Sequence, residues 1–155
     1  MTTNDALLDE ILVRGLDDWI QACEVQSCTI EVCGAHTGDE MRRLSLAIIR
    51  HALELGLVRV GDVTTGAFRP WPGDVDAIVR RVEREWMALE DGPNLGDVCW
   101  LANTPAGDER ARRVLRARKK LSQPASDAPS MPEKRLSPGY SPGVRIGTTW
   151  RPKRR

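Results

Sequence analysis

Cys23, Cys28, Cys33 and His36 form the pattern C-x4-C-x4-C-x2-H, and thiolate with imidazole is a zinc ligand set. Zinc sites gather their ligands as close pairs, two to about four residues apart, with a second pair elsewhere. This sequence has no C-x2-C. On a helix each five-residue step turns by about 140°, from ~100° per residue, so the three thiols would diverge. A loop over 28–36 could instead wrap an ion. The reading adopted is that of buried, inert thiols, with no metal ligand and no cofactor expected. Cys99, beside Trp100, reads as one more packed thiol.

Nucleophile and base arrangements are poor. The two histidines are His36 and His51. No Gly-x-Ser-x-Gly, His-Glu-x-x-His or phosphate-cradling Gly-x-x-x-x-Gly-Lys-Ser/Thr is present. Acid pairs are many: Asp17 with Asp18, Asp39 with Glu40, Asp74 with Asp76, Glu83 with Glu85, Glu90 with Asp91. Most fall at helix starts or on polar faces, where the helix dipole or water suffices to explain them. No catalytic residue is therefore expected. Tryptophan stands out, with five against one Phe and one Tyr. Trp19 and Trp86 fall on helical stripes and read as core. Arg69, Trp71 and Trp100 are candidate protein-binding residues, because aromatics and Arg dominate interface hot spots.

The densest chemistry is basic. Arg110, Arg112, Arg113, Arg116, Arg118, Lys119 and Lys120 crowd one short stretch, and Trp150, Arg151, Lys153, Arg154 and Arg155 close the chain. Such residues neutralise phosphates whatever the base sequence. Tyr140 and Trp150 add faces on which unpaired bases could stack. These are candidate nucleic-acid-binding residues. The same run would equally suit an acidic protein, an anionic membrane surface or the chain's own acidic part.

The elements that must position these residues are mostly helical. Leu7, Leu8, Ile11 and Leu12 recur at helical spacing after Asn4 and Asp5, and Gly15 interrupts them. Leu16, Trp19, Ile20 and Cys23 continue a helical stripe, and Ser27 to Gly34 reads as a loop or short extended piece. Thr37 and Glu40 make a capping box. It opens a central helix with Met41, Leu44, Ile48, Ala52 and Leu55 on one face, ended by Gly56. Residues 57–60 and 67–71 read as a hairpin turning at Thr64-Thr65-Gly66, with Pro70 keeping the second strand short or at an edge. Val75, Ile78, Val79, Val82, Trp86 and Leu89 define the clearest helix. Residues 98–102 fit a short helix or a buried strand. Thr104-Pro105 fits a cap and first helical residue, opening a basic helix. From 122 onward prolines and serines interleave with charge, and disorder is expected.

The chain of 155 residues has a net charge of +1 that conceals a division. Residues 1–108 hold 9 Arg against 19 Asp and Glu, a net −10, while 109–155 hold 14 Arg and Lys against 3 acids, a net +11. An acidic domain over 1–108, a basic helix over 109–121 and a Pro/Ser-rich basic tail over 122–155 follow. The apolar share of 41% supports a modest core. No run approaches the ~20 apolar residues of a membrane span. The start MTTNDALLDE has no apolar stretch, so a cytoplasmic location without disulfides is expected.

The order helix–helix–helix–hairpin resembles a winged helix, with the passage Ala52 to Val58 leaving the third helix and Thr64 to Gly66 as wing tip. That resemblance implies nucleic-acid binding. However, the third helix carries Asp39, Glu40 and Glu54 beside Arg42, Arg43 and Arg50, so the basic tail would have to supply the affinity. The segments GLVRVGDVTTGAFRPW and DVCWLANTPAGD are similar to a group of small uncharacterised bacterial helical proteins with no assigned activity, over about residues 5–110. The 19 Arg to 4 Lys suit a GC-rich bacterial genome. The resulting expectation is a mainly α, winged-helix-like domain with one short hairpin. It would act as a non-catalytic module binding another protein of basic character, on the terms of small immunity and inhibitor proteins. The alternative is non-specific nucleic-acid binding through residues 109–155.

Overall fold

The computed structural model describes residues 2–122. The expected tail, with Trp150, Arg151, Lys153, Arg154 and Arg155, lies outside them. Five helices and four strands follow in the order α1 (Thr3–Arg14), β1 (Ile20–Gln21), α2 (Ala22–Cys33), α3 (Gly38–Glu54), β2 (Val58–Thr64), β3 (Ala67–Pro70), α4 (Val75–Met87), β4 (Trp100–Asn103) and α5 (Pro105–Ser122). The protein is mainly helical, with a small antiparallel sheet. None of these helices is long and apolar enough to cross a membrane.

Local signals account for most of the helices. The Thr37 hydroxyl accepts from Glu40 N at 3.2 Å, and the Asp74 carboxylate accepts from Ala77 N at 2.8 Å, each satisfying a donor that the first turn leaves free. Ile48, Ile49 and Ala52 of α3 and Ile78, Val79, Val82 and Trp86 of α4 are buried. They meet Leu7, Leu8, Ile11 and Leu12 of α1 and Val25 and Cys28 of α2 in one core.

Two expectations need correction. Ser27 to Cys33 is helix, and the turn falls earlier, before β1. Gln21 N donates to the Glu24 carboxylate at 2.7 Å and starts α2, and Gly34 ends it at φ 69°. The apolar stripe fades over this stretch because a polar residue, Thr29, takes a core position. It is buried in the helix with its hydroxyl donating to Gln26 O at 2.6 Å, so the polar atom is satisfied locally. The hairpin, moreover, is part of a larger sheet. Its turn is Thr65-Gly66, both at positive φ (49° and 75°), as a two-residue connection with right-handed twist requires. β4 pairs with β2 on the side away from β3, and β1 pairs with β4, giving the order β1-β4-β2-β3. Residues 98–102 thus contribute a strand rather than a helix. Pro70 lies on β3 at the edge, where its missing N–H costs no ladder bond.

Directly paired residues share a face of the sheet. Ile20, Leu101, Val60 and Val58 face the helices and are buried. Gln21, Trp100, Ala102, Val63 and Phe68 lie on the opposite face and are only half-buried. α5 starts beside the end of β4. Thr104 caps it, accepting from Gly107 N at 3.2 Å while donating to Gly56 O at 2.7 Å. The change from acidic to basic sequence at 108/109 therefore falls inside this helix, which also buries Ala111 in the core.

Candidate binding surface and cleft

α5 lies along α1, and acids of α1 meet part of its basic content. Arg110 Nε donates to Asp9 at 2.9 Å, with Asp5 at 3.7 Å, and Arg118 donates to Glu10 at 2.9 Å. Glu10 also accepts from Arg14 at 3.1 Å. Partial burial would raise the Glu10 carboxyl, but the Arg14 and Arg118 guanidiniums outweigh it and hold it below its ordinary value. Arg112, Arg113, Arg116, Lys119 and Lys120 are exposed, with no ion pair among the described residues. At ~100° per residue they occupy an arc of about 120° facing away from α1. Two of the seven basic side chains of α5 are thus spent internally, and five form a ridge.

The second feature is aromatic. Trp19, just before β1, and Phe68, on β3, belong to opposite edges of the sheet, yet their ring centroids are 6.2 Å apart with planes inclined by 33°. They wall a cleft of about 530 Å³ whose remaining lining comes from Gly15, Ala67, Ala102, Asn103, Pro105, Asp108 and Arg112. Small residues at 15, 67 and 102 leave it open. Asn103 Nδ2 donates to both Leu12 O at 2.8 Å and Asp108 Oδ1 at 3.1 Å, anchoring the carboxylate to α1. Asp108 is 92% buried, since its relative exposure is 8%. Arg112 follows it by one turn, and the two do not form an ion pair.

The proposed protein-binding residues separate. Trp71 is not an exposed anchor: it is 6% exposed within the core, with the Arg81 guanidinium 3.7 Å above its ring. It is drawn in because β3 ends at Pro70 and Trp71 N still donates to Val60 O at 2.9 Å, which turns its ring under the sheet. Arg69 is exposed on β3, but its Nε is tied to the Thr64 hydroxyl at 2.9 Å. Trp100 is half-buried on the outer sheet face. Trp19, read as core, is half-buried beside the cleft, because it precedes a strand instead of riding a helix. Asp108 and Phe68 were not among the sequence candidates. An acid in a first helical turn reads as dipole compensation, and only tertiary contacts bring it to Trp19.

Cys23, Cys28 and Cys33 share α2 at five-residue steps, so their thiols diverge. Burial pushes Cys28 and Cys99 up to about 12. Among the described residues, no group of three or more His, Cys, Asp or Glu side chains is gathered as a metal site would require. Three of the paired acids are held in ion pairs: Asp39 with Arg42 at 3.2 Å, Asp76 with Arg50 at 2.5 Å and Glu85 with Arg81 at 3.0 Å. No protein-family model matches the chain, and no curated protein or solved structure matches it either.

Proposed function

We propose that the folded part is a non-catalytic binding module that recognises another protein, in the manner of a small inhibitor or immunity protein. The observation carrying this reading is the outer sheet face, where Trp100, Val63, Phe68 and Ala102 stand half-buried opposite the face packed on the helices. A sheet face rich in aromatics provides rigid contact area at low entropic cost. The −10 charge of residues 1–108 favours a basic partner by long-range steering. The test is recovery from native lysate on immobilised full-length protein, with nuclease present. One protein retained by wild type and lost with Trp100→Ala, at unchanged thermal stability, supports the module. Equal recovery by both would sink it.

A second reading, nucleic-acid binding, is favoured by the α5 ridge. It would not use α3 as a winged-helix recognition element, because Arg42 and Arg50 are engaged by Asp39 and Asp76. It would use Arg112, Arg113, Arg116, Lys119 and Lys120, together with the C-terminal residues. Its sign is nuclease-sensitive recovery, lost when Arg116, Lys119 and Lys120 are changed together to Ala. Truncation at 108 is unsuitable for either test, since it would remove buried Ala111 and the Arg110–Asp9 contact.

A further inference from the structure

β3 is shorter than β2, and the place where it stops leaves polar groups unserved. Its register with β2 ends at Gly61 and Pro70, after which Trp71 N donates to Val60 O at 2.9 Å. On the other side of β2, Thr104 N donates to Leu57 O at 3.0 Å. The bonding groups of an antiparallel strand alternate between its two neighbours. These two bonds therefore aim the N–H and C=O of Val58 toward the β3 side, past its end. The chain does not fill that place: Pro72 has no N–H, and Asp74 already caps α4. Val58 is only 3% exposed, yet among the described residues neither of its backbone groups has a hydrogen bond. A pocket of about 240 Å³ borders this edge, with Leu53 of α3, Ile78 of α4 and Trp71 among its walls. Trp71 adds a third unserved group, since its Nε1 is buried without a partner. Buried donors and acceptors left unpaired are costly unless something supplies their complements.

An extended peptide residue carries one donor and one acceptor at the spacing that a strand residue presents. We propose that this edge receives an extended segment of a partner protein, which continues the line of β3 beside β2. One residue of the segment would exchange both backbone bonds with Val58, and a carbonyl of the segment would serve Trp71 Nε1–H. Directly opposed residues share a face of the sheet. The side chain opposite Val58 would thus enter the pocket between Leu53 and Ile78, which calls for an aliphatic residue. Its neighbours would face outward, where the net −10 of residues 1–108 favours Lys and Arg. Addition of a strand to an open sheet edge is an established mode of peptide recognition. The site uses neither Trp100 and Phe68 nor the α5 ridge, so it stands or falls apart from both functional readings.

The test uses full-length ¹⁵N-labelled protein and the capped peptide acetyl-Arg-Leu-Lys-amide. The expected result is saturable movement of the Val58 amide and Trp71 Nε1–H resonances. An analogue with an ester oxygen in place of the Leu N–H cannot donate to Val58 O and should bind about fivefold to tenfold more weakly. Acetyl-Arg-Gly-Lys-amide, which leaves the pocket empty, and acetyl-Glu-Leu-Glu-amide, with its charge reversed, should each bind more weakly too. These changes lie in the peptide, so the folding of the protein is not at issue. Trp71→Phe, which keeps an aromatic ring but removes its donor, should weaken the Leu peptide while the Val58 resonance still moves. Equal binding of the amide and ester peptides, movement confined to residues other than Val58 and Trp71, or no binding in the millimolar range would overturn the assignment.

Discussion

Gly38 and Gly107 each occupy the first turn of a helix, and propensity alone favours alanine at either by up to about 1 kcal/mol. Their surroundings separate them. A Cβ at Gly38 meets nothing within 4 Å, whereas at Gly107 it would sit 2.1 Å from Leu57 O and 3.3 Å from Leu12 Cδ2. Neither neighbour can yield easily. Leu57 O is held by Thr104 N at 3.0 Å, and Leu12 is fully buried in α1. Relief requires α5 to lift away from the start of β2, loosening the cap at Thr104. Overpacking of this kind costs about 1–3 kcal/mol or more when backbone must move. After the propensity gain, Gly107→Ala should be destabilised by about 1–2 kcal/mol, while Gly38→Ala should match or exceed wild type. Urea unfolding of the three proteins, compared at their midpoints with a common slope, measures this directly. A Gly107→Ala protein as stable as wild type would refute the close approach of α5 to Leu57. It would equally remove the geometry that places Asp108 and Arg112 on the cleft.

Three further outcomes are expected. Val98 sits at φ 69°, unusual for a β-branched residue, in a three-residue turn closed by Cys99 N donating to Asp97 O at 2.9 Å. Val98→Gly should therefore exceed Val98→Ala in thermal stability by about 1 kcal/mol, because alanine loses packing and keeps the strain. Glu10 titrates below its ordinary value of 4.5 in the fold, so its contribution is full above that value and disappears as pH falls through the lower folded value. The unfolding midpoint of Glu10→Gln should accordingly fall less than that of wild type between about pH 5 and 3. Finally, Ellman's reagent at neutral pH should leave Cys28 and Cys99 unmodified until denaturant is added, since both are buried and their thiols are pushed up to about 12.

What could be read from the sequence was what neighbours along the chain decide. Thr37 and Asp74 announce α3 and α4 because a cap acts on a backbone N–H three residues away. The apolar stripes of those helices repeat with the helical period, and Gly66 marks a turn that needs positive φ. The division of charge was likewise plain. Contacts distant in sequence decided the remainder. β1 has two residues and acquires strand character only by pairing with Leu101 and Trp100, so its local pattern passed for helix. Trp71 was one of the candidate protein-binding residues, but its backbone bond to Val60 O continues the pairing past Pro70 and places its ring in the core. The cleft draws Trp19, Phe68 and Asp108 from three distant stretches. Their juxtaposition comes from the sheet order and from the seating of α5 against Leu57, which no periodicity or local propensity encodes.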